Sequence, residues 1–127
     1  MTDLDAALFF NERPEAFALY KALEDRILAD IRDVNIRVQK TQISFANRHN
    51  FAFASLLPVR RAKERPKVYL IVSFGLAYKK ESPRIDVAVE AYPNRWTHHM
   101  MIASADEIDD ELMSWIREAS DFSAAKR

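Results

Sequence analysis

The residues with the greatest chemical range in this chain are its histidines. There are three, His49, His98 and His99, and the last two stand side by side in Pro93–Met100, PNRWTHHM, with Arg95 and Trp96. An imidazole near neutral pH can serve as a general acid or base or as a metal ligand. A doublet, however, splits in a strand, because adjacent side chains project to opposite faces. Trp96, His98, Met100 and Ile102 then share one side, and Thr97, His99, Met101 and Ala103 the other. The two rings cannot jointly hold one metal, HExxH is absent, and no metal or other cofactor is expected. His98, on the more apolar side, is read either as a core histidine with a hydrogen-bond partner or as a candidate catalytic acid or base. His99 is set aside as the weaker candidate.

Other catalytic motifs have little to be built from. With no cysteine, thiolate nucleophiles, disulfides and Cys-based metal sites are excluded. Ser44, Ser55 and Ser73 lie in strand-like runs without the GxSxG elbow, so a Ser–His arrangement would have to be assembled in three dimensions. Gly75 is the only glycine, which rules out a glycine-rich phosphate loop or dinucleotide fingerprint. The acids of EIDDE, Glu107–Glu111, are better read as helix-cap electrostatics than as a cation site.

Positive charge is the remaining resource. Residues 1–33 carry 4 Lys/Arg against 8 Asp/Glu, residues 34–103 carry 12 against 4, and residues 104–127 carry 3 against 7. A neutral whole thus has acidic ends and a basic middle, densest at Arg60, Arg61, Lys63, Arg65 and Lys67. Such a segment, with Tyr69, Tyr78, Tyr92, Trp96, Phe51 and Phe53 interspersed, suits an anionic ligand or nucleic acid, unless the acidic ends neutralise it.

The elements that must position these residues follow from periodicity. Residues 14–31 repeat Ala16, Leu19, Tyr20, Leu23, Ile27 and Ile31 on one helical face, with Pro14 in the first turn and Asn11 as the expected cap. A second helix is expected over 106–119, with Ser104 and Glu107 at capping-box spacing and Ile108, Leu112, Trp115, Ile116 and Ala119 as its buried stripe. Between them the period is two. Val34–Val38, Ile43–Phe45 across a turn at Lys40–Thr41, then 51–57, 67–74, 84–92 and 96–103 read as strands. Pro58, Pro66, Pro83 and Pro93 fall between them. No gap holds a crossover helix, so the expectation is one α+β domain over 1–127, a mainly antiparallel five- or six-stranded meander between two helices. No run approaches a bilayer span and no signal peptide is evident, so no membrane association and a soluble, cytoplasmic location are expected.

VQKTQISFANRHNFA (38–52), RWTHHMMI (95–102) and DEIDDELMSWIREASDFS (106–123), in this order and spacing, resemble a family of unknown function, DUF5655. The resemblance runs from LFFNERPEAFALYKALEDRI to the end. It implies a small α+β domain without an established activity, and it places the family's recurring polar positions on Lys40, Thr41, Arg95, Thr97 and His98.

Three readings follow. The first is a non-catalytic binding or interaction module using Lys40, Thr41, Arg60, Arg61, Lys67, Arg95, Thr97 and His98 for an anionic ligand, nucleic acid or acidic protein. The second is an enzyme with His98 as general acid or base and Lys40 and Arg95 stabilising an anionic substrate, which requires the three to converge on one pocket. The third is a self-association domain forming a homo-oligomer through an exposed strand or face.

Overall fold

A computed structural model describes residues 3–57 and 66–126. The elements are α1 (Asp3–Phe9), α2 (Pro14–Asp30), β1 (Asn35–Val38), β2 (Ile43–Ala46), β3 (Asn50–Ser55), β4 (Leu70–Leu76), β5 (Val87–Tyr92), β6 (Arg95–Ile102), a 3-10 turn (Ala105–Glu107) and α3 (Asp110–Ala125). The domain is α+β, with one open six-stranded antiparallel sheet.

Local chemistry explains the helix limits. Pro14 opens α2, where its missing N–H would have had no intrahelical acceptor. The residue at the cap position is Arg13, without a side-chain cap bond, rather than Asn11. The short α1, preceding it, was not expected from periodicity. At the other end the expected capping spacing is used one turn early. Glu107 Oε1 accepts from the backbone of Ala103 and Ser104 and closes the 3-10 turn. Asp109 then caps α3, its Oδ1 accepting from Leu112 N at 3.0 Å, so α3 starts later than expected and runs on to Ala125.

Strand order is β1-β2-β3-β4-β6-β5, which corrects the expected meander. β6 lies between β4 and β5, and β5 takes the edge. Burial accounts for this: β5 has four exposed residues among its last four positions, Val89 to Tyr92, whereas the second half of β6 is almost wholly buried. An edge strand needs only one neighbour and tolerates such exposure.

Registers align the strands into lateral rows. One row runs Ile36, Phe45, Ala52, Phe74, His98, Ala88, and the next residue along each strand faces the other way. The face bearing this row is covered by α2 and α3. Leu19, Tyr20, Leu23 and Ile27 from α2 and Leu112, Trp115, Ile116 and Ala119 from α3 join Ile43, Phe45, Val72, Phe74, Met100 and Ile102 in one core. Truncating a large member of such a core to Ala typically costs about 3 to 5 kcal/mol. The opposite face bears the row Arg37, Ser44, Phe53, Ser73, His99, Val87. No described helix packs on it, and its buried apolar cluster is small, Tyr69, Ile71 and Met101.

Candidate functional site

The split of the histidine doublet is realised in full. His98 is completely buried in the helix-covered row. Its ring stacks on Phe74, with centroids 5.0 Å apart and planes 8° from parallel. Nε2 accepts the backbone N–H of Lys80 at 2.8 Å, which leaves the ring proton on Nδ1, 3.4 Å from the carbonyl of Phe74. Desolvation is the main cause holding its pKa below the ordinary value; the Phe74 carbonyl opposes this and the Lys80 charge adds to it. A neutral ring with its acceptor nitrogen occupied by a main-chain donor is suited to holding the Lys80 segment against β6. It offers no lone pair to a substrate.

His99 lies on the helix-free face, opposite Ser73 in the β4–β6 pairing. Ser73 Oγ and His99 Nδ1 are 2.7 Å apart. Burial lowers the His99 pKa too, so the ring is neutral at physiological pH. The pair stands in a cleft of about 200 Å³ whose lining includes Phe53, Ile71, Leu57, Thr97, Ser55 and Gln42. Sequence reading passed over Ser73 and His99. Alternation puts each on the polar side of its strand, but nothing local says that β4 and β6 are neighbours.

Arg95 begins the same strand and has the same parity as Thr97 and His99. Its guanidinium lies across Gly75: a Cβ added to that glycine would come within 2.7 Å of Nε and Nη2. The chain's single glycine therefore occupies the position where any side chain would displace this cation. Nη1 donates to Thr97 Oγ1 at 2.6 Å and Nη2 to the carbonyl of Asn50 at 3.3 Å. Both acceptors are neutral, and no carboxylate among the described residues pairs with it. Desolvation alone draws its pKa down from the usual value; an arginine so placed remains charged. On its other side a narrow cleft brings His49, Tyr92, Phe122 and Lys126 near it, and Lys126 Nζ donates to Tyr92 Oη.

The expected set is thus only partly brought together. Arg95 and Thr97 touch, and Thr97 opens onto the Ser73–His99 cleft. His98 is on the opposite face. Lys40 and Thr41, both exposed, form the β1–β2 turn, at the sheet end where β6 finishes, whereas Arg95 is where β6 starts. The convergence of Lys40, Arg95 and His98 required by the enzyme reading does not occur. Arg60, Arg61, Lys63 and Arg65 lie outside the described residues, and Lys67 is exposed ahead of β4.

The basic middle is in part neutralised by the acidic end. Arg84 Nη1 reaches Asp109 Oδ1 at 3.0 Å and Glu111 Oε1 at 2.8 Å, and Nη2 donates to the carbonyl of Glu107 at 2.8 Å. Lys80 Nζ lies 3.4 Å from Glu118. Both cations also sit over Trp115. Among the described residues no group of three or more His, Asp or Glu is placed to hold a metal ion, and no helix is long and apolar enough to cross a membrane.

These features define a small α+β domain whose sheet is packed by helices on one face and carries a polar cleft on the other. The chain belongs to the family described as Domain of unknown function (DUF5655), whose model matches residues 6–123. No curated protein and no solved structure matches it.

Proposed function

We propose that this is a non-catalytic binding module that receives the anionic group of a small ligand at Arg95 and Thr97 on the helix-free face of the sheet. The observation that carries this reading is the half-buried guanidinium of Arg95, seated on the only glycine and, among the described residues, with neutral partners alone. Desolvating a cation is costly unless an anion compensates it. Of its five N–H donors two are engaged by described acceptors. Thr97 Oγ1, accepting from Arg95, still has its own hydroxyl proton to give.

A binding role is favoured over catalysis by what surrounds Ser73. It lies within a regular strand paired on both sides, so its neighbouring backbone N–H groups belong to the sheet ladder and cannot form an oxyanion hole. Among the described residues no carboxylate bonds the His99 ring to orient it as a base.

The test is titration of the protein with sodium acetate and with inorganic phosphate at fixed ionic strength, observing the Arg95 Nε–H and Thr97 amide by NMR. Saturable shifts with Kd in the mM range, lost in Arg95→Ala, are expected. Linear, non-saturating shifts, or shifts that persist in Arg95→Ala, would overturn the proposal.

A further inference from the structure

The anion site and the Ser73–His99 cleft share one strand, and their spacing limits what can occupy both. Residues two apart on a strand are separated by roughly 7 Å, so Thr97 and His99 set two polar stations about that far apart on one floor. Between and beside them the walls are Phe53, Ile71 and Leu57. The cleft of about 200 Å³ is smaller than the roughly 300 to 1,000 Å³ common for drug-sized ligands. The cleft alone is too small to enclose a whole nucleotide.

The two stations differ in charge. Arg95 is a permanent cation with donors to spare. The far station is neutral: Ser73 Oγ and His99 Nδ1 bond each other at 2.7 Å, and Nε2 has no protein partner among the described residues. As a serine can donate to or accept from Nδ1, Nε2 can present either a proton or a lone pair. This station can satisfy a hydroxyl or carbonyl, and among the described residues it holds no cation to compensate a second negative charge. Burial acts in the same direction, since it disfavours the imidazolium that would be needed.

Building on the anion-binding reading above, we infer that the ligand is a small monocarboxylate with a short carbon body ending in a hydroxyl or carbonyl, its carboxylate at Arg95 and Thr97 and its far oxygen at Ser73 and His99. A carboxylate suits the site better than a phosphate because one planar guanidinium edge and one hydroxyl match two coplanar oxygens. The apolar walls offer a carbon body burial that acetate cannot exploit.

The experiment uses the whole chain at pH 7.5 and four sodium salts: acetate, pentanoate, 5-hydroxypentanoate and pentanedioate, the last three of equal carbon length. Kd values come from NMR titration, with the His99 ring signals of the unmodified protein followed alongside those of Arg95. The expected result is 5-hydroxypentanoate binding about tenfold more tightly than acetate and at least threefold more tightly than pentanoate, with pentanedioate weaker than both five-carbon monoanions. The His99 ring signals should move with 5-hydroxypentanoate and stay still with acetate. Ser73→Ala should erase the preference for 5-hydroxypentanoate over pentanoate and leave acetate unaffected; Ser73→Thr, which keeps the hydroxyl, should retain it. Equal affinities across the four salts with Arg95 responding would overturn this inference and leave the anion site standing, as would pentanedioate binding best. Absence of any Arg95 response would remove both.

Discussion

The seating of Arg95 on Gly75 can be measured without knowing any ligand. Gly75→Ala introduces a methyl group into the space held by Nε and Nη2. Gly75 has no positive φ, so the backbone accepts alanine and the collision falls on the mobile end of Arg95. The guanidinium must swing away and lose its bonds to Thr97 Oγ1 and the Asn50 carbonyl. Hydrogen bonds to a charged group contribute about 1.5 to 3 kcal/mol when shielded; at this half-open position about 1 kcal/mol each is the appropriate scale. Alanine in a strand returns about 0.5 to 1 kcal/mol by removing the conformational freedom of glycine from the unfolded chain. The net expectation is a loss of about 1 kcal/mol. In an Arg95→Ala background no cation is displaced, and Gly75→Ala should instead stabilise by about 0.5 to 1 kcal/mol. The coupling between the two positions is therefore about 2 kcal/mol. Urea unfolding followed by tryptophan fluorescence, with m checked for constancy, gives all four corners of the cycle. A coupling below about 0.5 kcal/mol, the scale of ordinary additivity error, would show that Arg95 does not rest on Gly75 and would take the basis of the anion site with it.

Other consequences follow from the two histidines and from Arg84. Because burial lowers the pKa of His98 below its unfolded value, the unfolded chain takes up the proton more readily. Its stabilising effect is complete above about pH 6.5 and is lost as pH falls from there towards the folded pKa. The ceiling on that slope is about 1.4 kcal/mol per pH unit for one group. Urea midpoints measured from pH 8 to pH 5 should fall in wild type and fall less steeply in His98→Gln, where His99 keeps its own share; an unchanged pH profile in that variant would assign the loss elsewhere. His98→Phe keeps the stack on Phe74 but strands the Lys80 N–H, with an expected loss of about 1 to 3 kcal/mol by the same assay. Arg84→Ala removes the link from the segment before β5 to the start of α3 and should lower stability by about 1 kcal/mol, less at 1 M salt than at low salt; no effect at low salt would mean the cluster is simply solvated.

The sequence by itself determined the types of most elements and the faces of the strands. The 3.6-residue stripe of α2 and α3, Pro14 at the helix start and the two-residue alternation of Ile43–Phe45 and Trp96–Ile102 are local properties. Each follows from how a single segment can bury its apolar side. That is why His98 was legible as an inward residue and His99 as an outward one. What tertiary structure decided was which strands are neighbours. Placing β6 beside β4, with β5 outside it, depends on burial summed over the whole sheet, and alternation is the same whatever the strand order. Ser73 meets His99, and Arg95 finds the bare backbone of Gly75, only because of that order. Two residues 26 positions apart and another pair 20 apart carry no mutual signal along the chain; they become a site when the sheet brings them into one row and one crossing.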